Sequence, residues 1–224
     1  MREGKVIRVE GIIGAGKTTF SEKLANSLDG IWLREPDEKD GNPYLERFYN
    51  DPNRWALTMQ LHLLNTRYRM HQRAQWNVLQ NGSNVILDRS YYGDTAFARL
   101  QLKNKTIDRD EYNTYSLAYK NMTSNVMFPN FCIHLQIDPE VSSYRIQKRM
   151  QSQTGRQCEN VIDLKYLKNL QEEEAIVIDV LKQQGVQIIS VDWNKDMTDD
   201  DINLYCQNIA NQIKTTDIRD LFIN

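Results

Sequence analysis

Apolar and polar positions alternate between two regimes along this chain. Strand-length apolar runs appear at KVIRVE (residues 5–10), IWLRE (31–35), NVILD (84–88), FCIHLQI (131–137) and VQIISV (186–191). Between them lie segments in which apolar residues return with helical spacing, which predicts a parallel sheet covered by helices on both faces. The longest helix is predicted over 51–80, with Asp51 as its cap and Pro52 in its first turn. Further helices are predicted over 109–127, 139–151, 164–185 and 199–213, and the tail beyond carries Leu221, Phe222 and Ile223 without a clear pattern. In a sheet of this kind ligands sit outside the carboxyl ends of the strands, so Gly11, Glu35, Asp88 and the residues after Ile137 are expected to converge.

The chain has 224 residues, no internal repeat and no low-complexity linker, which predicts one domain over 1–224. Lys plus Arg (28) nearly balance Asp plus Glu (30), a net charge of −2 that favours neither nucleic acid nor a membrane surface as a partner. Cys132, Cys158 and Cys206 have no CxxC or metal-like spacing, so neither a disulfide framework nor a zinc site is expected. No apolar run approaches the 18 or so residues of a membrane span, and the first strand begins by Lys5, so a cytoplasmic protein without a leader is expected.

The segment Gly11-Ile12-Ile13-Gly14-Ala15-Gly16-Lys17-Thr18 satisfies GxxxxGK[ST] between a strand and a helix-like run, the context of a phosphate-binding loop. Its glycines let backbone N–H groups close around phosphate oxygens at a helix N-terminus. Lys17 is then suited to the β- and γ-phosphates of a nucleoside triphosphate, and Thr18, followed by Thr19, to Mg²⁺. The loop defines a donor and leaves the acceptor open. A GTPase would carry NKxD, whereas NKDM (194–197) has its aspartate one place early.

Other residues become informative only in combination. Glu35, before Pro36 at the end of the second strand, is either a general base or a solvated strand end. Asp88 and Arg89 end a buried-looking strand as a metal-side acid and a charge-neutralising arginine do, and as many buried strands also do. Gln60 and Arg67 lie two turns apart on one stripe of the long helix with Leu64 between them, where they meet either a nucleobase or water. Arg145 and Arg149 share a helix face, and Arg156 and Glu159 follow a polar loop, so 145–160 is a candidate lid over the triphosphate or a solvated basic face. His62, His71 and His134 lack ligand spacing and read as structural or surface groups. Trp32, Trp55, Trp76 and Trp193 read as packing residues, with Trp193 in a loop near the donor base.

Taken in order, the loop, Glu35-Pro36, FYNDPNRWALTMQ (48–60), Asp88-Arg89-Ser90 and the arginine-bearing segment resemble the deoxyribonucleoside kinases over about residues 5–213. That resemblance implies a P-loop kinase fold, ATP as donor, Mg²⁺ and a homodimer formed through long helices. It implies Glu35 as base at the 5′-hydroxyl, Arg89 at the acceptor, Tyr49 and Glu159 at the 3′-hydroxyl, and Gln60 on the nucleobase. Arg145, Arg149 and Arg156 are similar to the lid arginines, and DWNKDM (192–197), which includes Asp196, to the loop around the donor adenine.

Arg67 and Asp94 match the pair in members that accept deoxyadenosine, deoxyguanosine or deoxycytidine, which implies a purine deoxynucleoside, with deoxycytidine as an alternative substrate. Three departures accompany the resemblance. Asp88 stands where glutamate is frequent, Asp40 lies near an expected aromatic, and MQSQT (150–154) lengthens the lid. A nucleoside monophosphate kinase, and an ATP-binding module without catalysis, are the competing readings.

Overall fold

The computed structural model describes residues 4–34, 42–152 and 157–216. Five strands form one parallel sheet: β1 (Val6–Glu10), β2 (Ile31–Leu33), β3 (Val85–Asp88), β4 (Phe131–Gln136) and β5 (Gln187–Asp192), in the spatial order β2-β3-β1-β4-β5. The central strand β1 pairs Val6 with Val85 on one side and Ile7 with Phe131 on the other. Chain direction across the sheet therefore reverses beside β1, and the loop after β1 opens at the topological switch point where ligands bind.

The helices among the described residues are α1 (Lys17–Leu28), α2 (Leu45–Asn50), α3 (Pro52–Asn81), α4 (Tyr91–Lys103), α5 (Arg109–Thr123), α6 (Pro139–Ser152), α7 (Leu164–Gln183) and α8 (Asp199–Thr215). A short 3-10 turn, Gln157–Val161, precedes α7. Burial on both faces explains why the inner strands read as apolar runs rather than alternating ones: Val6, Ile7, Val9, Val85, Ile86 and Ile133 are all fully buried. Two exceptions, Arg8 and Glu10, are charged and equally buried.

All five predicted strands are present, with β2 ending at Leu33. The helix expected over 109–127 stops at Thr123, where the turn into β4 begins. Two helices, α2 and α4, went unpredicted. The signal for α4 was present in Ser90, whose hydroxyl accepts from Tyr92 N–H as an N-cap. Trp76 is a correction of another kind, since it is 64% exposed on α3 rather than packed. Leu221, Phe222 and Ile223 lie outside the described residues.

Helix α3 sets the depth of the site. Asp51 accepts from Arg54 N–H, Pro52 occupies the first turn, and Gly82 closes the far end with φ 61°. One stripe of this 30-residue helix is buried and includes Gln60, Leu64, Arg67 and His71. Three polar side chains lie on that stripe, and neighbouring elements supply partners for two of them, Asp94 for Arg67 and Met127 O for His71.

Candidate active site

A cavity of about 470 Å³ lies over the carboxyl ends of the strands and is lined from Gly14, Gly16, Lys17, Thr18 and Thr19 at one end to Gln60 and Arg67 at the other. At the phosphate end the loop is held by its own geometry. Gly14 and Gly16 have φ of 79° and 80°, and a Cβ on Gly14 would lie 2.9 Å from Ser142 O. Lys17 is buried, and its Nζ donates to Gly11 O and Ile12 O at 2.6 and 2.7 Å. Burial, reinforced by the Arg89 charge, pushes its ammonium pKa down to about 7.

Thr18 Oγ1 donates to Asp88 Oδ2 at 2.7 Å, joining the helix after the loop to the end of β3. A hydroxyl and a carboxylate, both oxygen donors, fit a Mg²⁺ that keeps its other positions for phosphate and water. Arg89 follows with φ 69°, its N–H bonded to Val9 O at 3.3 Å and its guanidinium over the Phe97 ring at 5.4 Å. Helix α6 is fastened to the same loop, because Ser142 Oγ donates to Ile13 O. Its Arg145 donates to Trp193 O and Lys195 O at 3.0 and 2.9 Å, tying the helix to the loop after β5, while Asp196 is 3.8 Å away and exposed. Trp193 itself is buried against Phe20 and packs near Gly16.

The other end is made by side chains from separate elements. Arg67 on α3 and Asp94 on α4 form a buried ion pair, 4% and 0% exposed, in which Arg67 lines the cavity and Asp94 stands behind it. Gln60 is 2% exposed, and its Oε1 is buried with no hydrogen-bond partner. Gln60 also lines the cavity, so its amide, which carries both donors and an acceptor, is placed to meet a ligand. Glu159 is held by Arg149, whose Nε and Nη2 reach the same carboxylate oxygen at 3.1 and 2.6 Å. Tyr49 is half-buried near Tyr166 and Glu159, and the loss of water around it raises its phenol pKa well above the usual value. His71 makes its bond to Met127 O at 2.8 Å, and burial lowers its pKa to about 4.

The family model described as "Deoxynucleoside kinase" matches residues 7–216. The chain belongs to the deoxynucleoside kinase family. It is 37% identical over 207 residues to a deoxyguanosine kinase of Dictyostelium discoideum, a match covering 92% of this chain and 69% of that one. A deoxyadenosine kinase of the same organism is 32% identical, with 86% and 74% covered. Among solved structures, deoxyadenosine kinase from M. mycoides with bound dCTP superposes with a TM-score of 0.74 at 26% identity, covering 94% of this chain and all of that one.

Of the residues predicted for the kinase's site, Gly14, Gly16, Lys17, Thr18, Thr19, Tyr49, Gln60, Arg67, Asp88, Arg89, Arg145, Arg149 and Glu159 line one cavity. Gly11 and Ala15 are buried beneath it. Glu35 and Arg156 lie outside the described residues. Arg149 and Glu159 were assigned separate tasks by resemblance, yet they are bonded to one another. Sequence reasoning missed Phe48, Met59, Leu63, Phe97, Gln101 and Tyr166, which also line the cavity. Phe97 lies three residues after Asp94, so recognising α4 would have put both toward one side.

Proposed function

We propose that this kinase transfers the γ-phosphoryl group of ATP to the 5′-hydroxyl of a deoxynucleoside, with deoxyadenosine and deoxyguanosine preferred and deoxycytidine second. The observation that carries the reading is the single cavity joining a phosphate loop to a buried Arg67–Asp94 pair beside an unsatisfied Gln60 Oε1. A purine presents ring acceptors and an exocyclic amino or oxo group to such charges. A thymine methyl would leave them unmatched.

In this reading the loop N–H groups from Gly14 to Thr19 hold the triphosphate, and Lys17 leaves the carbonyls of Gly11 and Ile12 for the β- and γ-oxygens. Thr18 and Asp88 hold Mg²⁺, which neutralises charge on those oxygens when bound. Arg89 orients the acceptor, and Tyr49 with Glu159 holds the 3′-hydroxyl. Arg145 and Arg149 stabilise the transferring group, for which Arg149 exchanges its bond with Glu159 for phosphate. Glu35 takes the 5′-hydroxyl proton as transfer proceeds, and Asp196 borders the donor adenine. Gln60 and Arg67 read the base, and Asp94 keeps Arg67 charged and oriented.

The kinase is a cytoplasmic homodimer in this proposal. Support comes from the 64% exposed Trp76 and Leu79 on the outer side of α3. No helix among the described residues is long and apolar enough to cross a membrane.

Consumption of ATP, measured with each deoxynucleoside and each monophosphate in turn, tests the function. Stimulation by purine deoxynucleosides is expected. Stimulation by monophosphates alone would make it a nucleoside monophosphate kinase, and none by either would leave an ATP-binding module. Glu35→Gln is expected to bind nucleoside normally and to lose most of kcat, and unchanged turnover would remove Glu35 as base.

A further inference from the structure

The central strand carries two charged side chains that the chemistry above leaves without a task. Arg8 and Glu10 flank Val9 on β1, so they share one face of the sheet, and they are 0% and 2% exposed. Glu10 Oε1 lies 2.5 Å from Arg8 Nη2 in a buried ion pair and accepts from Ser90 Oγ at 3.1 Å. A Cβ added to Gly93 would lie 2.7 Å from Glu10 Oε2, so the first turn of α4 rests directly on this carboxylate. From the same turn, the Tyr92 ring lies 5.2 Å from the Arg8 guanidinium.

Taking two charges out of water costs about as much as their attraction returns, so stability alone does not call for this pair; an apolar pair of the same shape serves it as well. An apolar pair has no acceptor for the Ser90 hydroxyl. Ser90 closes the turn Asp88-Arg89-Ser90, in which Arg89 adopts a left-handed φ of 69° that a non-glycine residue keeps only when its surroundings hold it. Two bonds from β1 hold this turn: Arg89 N–H to Val9 O, and Ser90 Oγ to Glu10.

We propose that Glu10, oriented by Arg8, is a positioning residue that fixes the Asp88-Arg89-Ser90 turn, and through it the places of Arg89 at the acceptor and Asp88 beside Thr18. The proposal rests on the roles given above to Asp88 and Arg89. It makes the strand under the phosphate loop set the acceptor side of the site, through one carboxylate.

Two variants isolate the link. Ser90→Ala keeps the Arg8–Glu10 pair and loses the hydroxyl. Arg8→Met with Glu10→Leu keeps the Ser90 cap of α4 and loses the carboxylate. Both lack only the Ser90–Glu10 bond in common. For each, kcat per folded enzyme, KM for ATP, KM for deoxynucleoside and melting temperature are measured beside Ser90→Thr, Arg89→Ala and Asp88→Ala. The expected result is a fall in kcat of about tenfold or more in both variants with KM for ATP near wild type, and recovery in Ser90→Thr. A kcat within about twofold of wild type in Ser90→Ala, with any effect confined to melting temperature, overturns the proposal even if the apolar pair does not fold. Wild-type kcat in Arg89→Ala or Asp88→Ala would instead defeat the roles on which it rests.

Discussion

The two ends of the cavity are built on different principles. The phosphate end is nearly all backbone from one contiguous stretch, Gly11 to Thr19, tied to β3 through Thr18 and Asp88 and to α6 through Ile13 O and Ser142. The acceptor end takes Gln60 and Arg67 from α3, Asp94 and Phe97 from α4, and Glu159 from the turn before α7, with Arg67 paired to Asp94 and Glu159 to Arg149. A backbone cradle needs glycines at fixed spacing, whereas a side-chain cradle needs the fold to be complete. Changes at the first end should therefore remove chemistry and spare stability, and changes at the second should cost stability and alter which nucleoside is preferred.

The strongest break of that contrast is Asp94→Ala. It leaves the Arg67 guanidinium buried without its carboxylate, and a loss of about 3–5 kcal/mol in urea unfolding is expected. Arg67→Met with Asp94→Ala should recover most of it, because no charge remains unpaired. Purely additive effects would mean that the pair is not coupled. Lys17→Met is expected to lower kcat by about 10²–10³-fold while melting at or above the wild-type temperature. Removing a buried ammonium whose charged form is disfavoured takes away a cost.

The same lysine gives a proton signature. Its folded pKa of about 7 lies below the ordinary 10.5, so between these values the unfolded chain binds more protons and this group makes stability rise with pH. Triphosphate binding restores the charge, so calorimetry in buffers of different ionisation enthalpy should register uptake of roughly 0.9 proton at pH 8 and little at pH 6. No uptake at pH 8 would show a lysine already charged in the ligand-free protein. The smallest effect expected is that of Asp51→Ala, which removes the cap of α3 at a cost of about 1 kcal/mol without changing which nucleoside is preferred.

Much of this was legible before the fold was known, for reasons that follow the same contrast. A phosphate loop is a local object, so Gly14, Gly16, Lys17 and Thr18 could be read directly, and strands buried on both faces announced themselves as apolar runs. Gln60 and Arg67 were visible as polar residues on an apolar stripe, but whether they met water or a cavity depended on α4. That helix was overlooked because its cap, Ser90, lies within a stretch read for its charges. Arg149 and Glu159 were each suggested by resemblance, while their bond to one another arises only when the 3-10 turn folds back against α6. Glu10 was hidden for the opposite reason: a carboxylate in a central strand looks like an ordinary strand end until its burial is known.

Selection of the acceptor base by the Arg67–Asp94 pair, as proposed, is measured by kcat/KM for deoxyadenosine, deoxyguanosine, deoxycytidine and thymidine, in the wild type and in Arg67→Met with Asp94→Ala. The wild type is expected to favour the purine deoxynucleosides over thymidine by about tenfold or more, and the double variant to shift that ratio toward thymidine. An identical rank order in the two proteins, with the variant folded and active, would contradict the account.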